Sequence, residues 1–425
     1  MLLGRTPTFK LKLSLNIVQI CVIIVLFVSF HTYGVGTIEL FNLSIAPWDW
    51  VILGLSFIYI ILVLYKTFYI RKSLVITIIF ALLFAFSLCL SAFFSPQPER
   101  ALTMILLQIR NVMLLLVIGT LFSRADTIES INKKIFWTGG IIASLAVLMY
   151  LSALSHYSEI LPDPSRWKPG VNYILDQGGV LRLVGLSKDP NFYSLWMAPS
   201  FLAGLSLPFS LPRLVMMIVL GLSLALTFSR GFTLALFISS VILTIFILLI
   251  KKRLVYVKRL FSVITIFTVI AVCLASVMGY DFLSKWEKRL ELARQAPRYA
   301  MWQHILDEMA ETWNPLIGAG LRAAEETLEG MYSHNSYLDT LFETGLIGFL
   351  VWVSLIIYVT LCALRRIKYP EWLPWVHTWL ILVVMFAFFS LVYNPFPWLM
   401  AGILTASPFK QQHGAPRPES KRPPP

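Results

Sequence analysis

Residues 74–94 read LVITIIFALLFAFSLCLSAFF, twenty-one positions without a charge. As a helix this stretch rises about 30 Å, the hydrocarbon thickness of a bilayer. It is apolar on every face, so it has no side to turn to water. Lys66, Arg71 and Lys72 precede it and Glu99 and Arg100 follow it, as expected of a segment leaving the membrane at both ends. The same pattern recurs along the chain, with runs at residues 15–33, 48–65, 102–122, 135–154, 192–207, 214–228, 232–250, 260–278, 336–364, 372–392 and 398–406. Together these predict an all-α polytopic membrane protein of about twelve transmembrane helices.

Composition agrees, since 58% of the 425 residues are hydrophobic and 13% are charged, about half the charged share of a soluble domain. A water-soluble fold is excluded. The +13 net charge forms no basic stripe and reads as membrane topology rather than nucleic-acid binding. Cys21, Cys89, Cys273 and Cys362 lie far apart in apolar runs, without the spacing of a disulfide framework or a zinc site. The basic start at Arg5, Lys10 and Lys12 has no small-residue cleavage pattern behind it, so residues 15–33 are expected to be a retained span.

With the N-terminus placed in the cytoplasm, most of the 35 Lys and Arg fall in inside segments, and most of the 22 Asp and Glu fall outside. The positive-inside rule then predicts cytoplasmic N- and C-termini. Two outside segments are too long for turns, one at about 155–190 and one at 281–335 between spans nine and ten. The second carries a helical repeat of Trp286, Leu290 and Ala293, then Met301, Ile305 and Met309. The predicted organisation is nine spans in 1–280, the large loop in 281–335, three spans in 336–407 and a Pro-rich disordered tail in 408–425.

The outside loops gather cations: Arg166, Lys168, Arg182 and Lys188 in the first, and Lys285, Lys288, Arg289, Arg294, Arg298 and Arg322 in the second. Several of these converging at the membrane surface suit a lipid diphosphate. Taken singly, each is also the ordinary charge of a solvated helix face. Arg230, in Thr227-Phe228-Ser229-Arg230-Gly231, occupies a tight turn between two spans, where a charge needs an anion or an escape to water. Arg110 lies nearer the middle of its span and must face the bundle interior or a wet cavity, supporting a site or pairing with a buried acid.

The sharpest local signal is Tyr332-Ser333-His334-Asn335-Ser336-Tyr337, where the large loop re-enters the membrane. An imidazole there can take a proton from a sugar hydroxyl at neutral pH. A lone histidine is more often structural, and the surrounding pattern decides. No Asp-x-Asp occurs in the chain, nor any GxGxxG or Walker A pattern. Metal-held diphosphate chemistry, ATP-driven transport and a dinucleotide cofactor are therefore not expected.

His334-Asn335, nine residues to Thr344, then Gly345 and Gly348, resembles the membrane motif of the bacterial O-antigen ligase family. Ser229-Arg230-Gly231 resembles its Ser-Arg turn. Arg298-Tyr299-Ala300-Met301-Trp302 with Pro315-Leu316-Ile317-Gly318-Ala319-Gly320 resembles its periplasmic-loop signature. The resemblance implies a GT-C-like, lipid-carrier-dependent glycosyltransferase of the bacterial inner membrane with its site facing the periplasm. The implied donor is undecaprenyl-diphosphate-linked O-antigen and the implied acceptor is the lipid A-core oligosaccharide, with no cofactor and no metal. Carried over, His334 is the implied catalytic residue, with Arg230 and Arg298 on the diphosphate. Arg182 fits an Arg-x3-Leu pattern of the family and joins them, with Lys188, Arg110, Arg322 and Asn335 as lesser candidates. O-antigen polymerases and protein O-oligosaccharyltransferases share the plan, and a polytopic transporter is the rival of another class.

Overall fold

A computed structural model describes residues 72–122, 128–155, 181–185, 187, 189–249, 255–262, 297–311 and 313–406, with short strands at 38–40, 43–45 and 174–176 and single positions 52, 54 and 265. The spans expected at 15–33, 48–65 and 260–278, the tail and Lys188 lie outside the described residues or almost wholly so.

The fold is mostly helical. In chain order the elements are β1 (Ile38–Leu40), β2 (Leu43–Ile45), α1 (Lys72–Ala92), α2 (Pro98–Phe122), α3 (Ile128–Ser155), β3 (Ile174–Asp176), β4 (Leu181–Leu183), α4 (Pro190–Ser206), α5 (Leu211–Leu226), α6 (Arg230–Leu249), α7 (Pro297–Glu311), α8 (Ala323–Thr327), α9 (Ser336–Leu364), α10 (Leu373–Met385) and α11 (Pro395–Ala406). Among the described residues, five helices are long and apolar enough to cross a membrane: α1, α2, α3, α6 and α9. These long helices leave large apolar side chains such as Ile79, Phe86, Leu148, Phe237 and Leu350 exposed, the surface a lipid tail covers. By contrast α4, α10 and α11 are buried around nearly their whole circumference. The bundle is thus layered, with short apolar helices inside and long lipid-facing ones around them. Helix α11 packs on α2, α9 on α1, α3 on α4 and α5, and α10 on α4 and α6.

The all-α expectation needs two corrections. Both small strand pairs are antiparallel, β1 with β2 and β3 with β4. Over the expected spans 372–392 and 398–406 the helices are also short. Helix α10 stops at Met385 and α11 starts at Pro395, at 13 and 12 residues, so each reaches only about 20 Å. Residues 386–394 join them as a non-helical turn, closed by the Asn394 side chain accepting from the Phe396 amide at 2.9 Å. Arg110 and Asn111, midway along α2, donate to the Tyr393 carbonyl at 2.8 and 3.1 Å. The turn therefore lies at the mid-height of α2, where irregular backbone persists only if protein groups satisfy it.

Helix α9 is broken. Gly345 has φ 62° and ψ −167°, a conformation essentially reserved for glycine. The loop Pro315–Gly320 fills the break. Ala319 and Gly320 amides donate to the Phe342 and Glu343 carbonyls at 2.8 and 3.2 Å, and the Leu346 and Ile347 amides donate to the Pro315 and Leu316 carbonyls at 2.8 and 3.2 Å. Two carbonyls and two amides freed at the break are thus satisfied by the loop. The spacing from His334 to Gly345 is then the length of a helical segment that ends where the loop docks.

Candidate functional site

Four segments distant in sequence meet at one end of the inner layer. Asp189 caps α4, accepting from the Asn191 and Phe192 amides at 2.6 and 3.2 Å with Pro190 at the first helical position. The α5–α6 turn runs through Phe228, whose φ of 46° is left-handed, to Ser229, whose hydroxyl accepts from the Phe232 amide at 3.3 Å. This cap starts α6 at Arg230, half-buried at the helix N-terminus, the end that carries partial positive charge.

The third segment enters from the large loop. Helix α7 carries Arg298, and its Trp302 indole donates to the Ser333 carbonyl at 2.8 Å, so the loop helix is fastened beside His334. His334 has φ 57°, a left-handed conformation that His, Asn and Asp tolerate better than most residues. The Asn335 side chain caps α9 by accepting from the Tyr337 and Leu338 amides at 3.1 and 3.2 Å. The fourth segment is the 386–394 turn. Ser336 donates its amide to the Phe386 and Phe389 carbonyls at 2.7 and 3.1 Å, and its hydroxyl accepts from the Leu391 amide at 2.7 Å.

The charges converge on one ring of that turn. The Arg298 guanidinium lies 5.6 Å from the Phe389 centroid, and the His334 imidazole meets the same ring edge-on at 6.3 Å. Burial and the Arg298 charge hold the His334 imidazole below its ordinary pKa, and the Asp189 carboxylate opposes them. Burial and the Arg230 charge likewise lower Arg298, with Asp189 again opposing. Arg230, Arg298, His334 and Asp189 thus share one electrostatic environment, with two cations held close together in a partly desolvated place. Such an arrangement is unfavourable alone and favourable around an anion.

The remaining sequence candidates fall elsewhere. Arg182 is 4% exposed. Its Nε donates to the Thr227 carbonyl at 2.7 Å and its Nη2 to the Asn191 Oδ1 at 3.1 Å, the same oxygen that accepts from the Ser229 hydroxyl at 2.6 Å. It braces the Arg230 turn from behind. Arg110 braces the 386–394 turn, as above. Arg322 belongs to a second polar cluster. Its backbone amide donates to Glu343 at 3.1 Å, and its guanidinium reaches Glu325 and the Tyr332 hydroxyl. Glu343, Asp339, Tyr332, Ser390 and Tyr393 there line a cavity of about 140 Å³. Sequence reasoning missed Phe389, Asn191 and Asp189. Asp189-Pro190 carries a helix-start signature that marks the position, whereas one phenylalanine among 30 carries no local signal.

Residues 215–353, which include Arg230, Arg298, His334 and Gly345, match the family model described as O-antigen ligase. This agrees with the resemblance carried by the three motifs. No curated protein matches the chain.

Proposed function

We propose that this multi-pass membrane protein, with its O-antigen ligase segment at 215–353, transfers a finished polysaccharide from undecaprenyl diphosphate to a sugar of lipid A-core at the periplasmic face of the inner membrane. The observation that carries the reading is the convergence of His334, Arg298 and Arg230 at one end of the buried helices. A transporter gains no support from the O-antigen ligase match at 215–353.

In the proposed mechanism an acceptor hydroxyl attacks the anomeric carbon in line with the departing diphosphate, inverting the centre. His334 takes the hydroxyl proton as the new C–O bond forms. Arg230 and Arg298 receive the charge that grows on the diphosphate oxygen as the old bond breaks, the task a metal ion performs elsewhere. Arg182, Arg110 and Asn335 hold the three turns in place, and Arg322 serves the neighbouring cluster. The test is to incubate the purified protein with undecaprenyl-diphosphate-linked glycan, with and without lipid A-core, with EDTA throughout. The expected product is glycan on lipid A-core. Longer undecaprenyl-linked glycan without the acceptor would make the protein a polymerase, and activity appearing only on adding a divalent metal would overturn the metal-free step.

The base reading also fixes a pH dependence. His334 acts only when neutral, and its lowered pKa keeps it neutral to more acidic pH than a free imidazole. The acid limb of kcat/KM is therefore expected below about 6.5. Arg298→Gln removes a depressing charge, so whatever rate remains should lose activity at higher pH than wild type. Asp189→Asn should shift the limb the opposite way. An acid limb that stays put in both variants would mean that His334 is not the titrating group.

A further inference from the structure

Phe389 is buried at 5% exposure, and burial alone would make it a core residue. It does belong to the main hydrophobic cluster, but its ring also meets charged groups. One ring carries the Arg298 guanidinium and the edge-on His334 imidazole, and Phe192 of α4 lies 6.2 Å away. At Gly231 an added Cβ would stand 3.2 Å from the ring's Cε2 and 3.5 Å from the Cβ of Phe388. Glycine after Arg230 thus lets the start of α6 come up to the same ring. The backbone carbonyl of Phe389 accepts from the Ser336 amide, two residues beyond His334, so the backbones that carry the ring and the imidazole are tied together.

We infer that Phe389 is a positioning residue, an aromatic platform that sets Arg298, His334 and the Arg230 turn in register for a diphosphate. This rests on the reading of Arg298 as a diphosphate contact. Two arginines close together repel, and the negative face of an aromatic ring offsets part of that cost where water is excluded. The platform keeps Arg298 inside the site before the anion arrives, so the ordering is done in advance of binding. An aliphatic side chain of similar volume fills the space and cannot do this.

The experiment measures the affinity of full-length purified protein for undecaprenyl diphosphate in Phe389→Leu, Phe389→Met and Phe389→Tyr. Running Leu and Met together keeps the comparison intact where one of them folds poorly. The ringless variants are expected to bind about tenfold more weakly, with Tyr within about twofold of wild type. In an Arg298→Ala background the ringless variants should cause no further loss, because the platform acts through Arg298. Equal affinity for Leu, Met and Tyr, or losses that add to that of Arg298→Ala, would reduce Phe389 to packing. Wild-type affinity in Arg298→Ala alone would instead sink the diphosphate reading beneath it.

Discussion

His334→Ala should lower kcat for glycan transfer by about 10²–10⁴-fold, the usual worth of a general base and roughly 3–5 kcal/mol of barrier. The substitution removes the proton acceptor while Arg230 and Arg298 still hold the diphosphate, so donor affinity is expected to change little. Alanine carries a complication of its own, because position 334 has φ 57° and a non-glycine residue there stores about 1–3 kcal/mol of backbone strain. Asparagine tolerates that conformation and cannot serve as a base near neutral pH. His334→Asn should therefore match alanine in lost turnover and keep the wild-type unfolding temperature. Turnover surviving in a folded His334→Asn protein would remove the base from the mechanism.

Gly345→Ala should be among the most damaging of the conservative glycine substitutions, with Gly318 and Gly320, whose added carbons would also strike backbone. The Gly345 backbone conformation is strained for any residue with a Cβ, and the added carbon would lie 2.5 Å from the Gly318 nitrogen and the Leu316 carbonyl. Those atoms are backbone and cannot swing aside. Gly330 is the matched control, since its φ of 90° is also positive but an added Cβ meets nothing within 4 Å. Gly330→Ala should pay only the conformational cost, about 1–3 kcal/mol. Gly345→Ala adds a backbone collision and the loss of the loop bonds at 315–320, and should fail to fold or unfold at a much lower temperature. Similar unfolding temperatures for the two variants, read by intrinsic fluorescence in detergent, would mean that the loop does not dock as described.

What could be read from the sequence follows the range of the interactions involved. The long spans around 74–94, 102–122 and 336–364 are legible because charge-free length is a property of neighbours in the chain. His334-Asn335 and Ser229-Arg230 are legible because a cap and a tight turn are built from adjacent residues. Within residues 372–406 the two helices are only 13 and 12 residues long and buried, which hydropathy alone does not mark. Asn394-Pro395 and Pro397 were the local signs of the break. Arg182 was found as a cation, but its task was not legible, since Thr227 stands 45 positions away. Phe389 is defined by four segments at once, which no local pattern encodes.

The depth of the 386–394 turn bears on the polymer that the protein is proposed to handle. Tyr393 of the turn lies at the mid-height of α2, while α2 and α3 run to 25 and 28 residues, about 40 Å each. On the proposed reaction, a carrier headgroup would reach Phe389 below the ends of those helices, and a chain of many sugars would stay above it. Only the sugar attached to the diphosphate would then enter, and the rest would stand outside like a mast in its step. On that proposal the site does not measure the mast, so glycans of different lengths are expected to be joined with one rate constant, and the length distribution of the product is expected to be inherited from whatever built the chains.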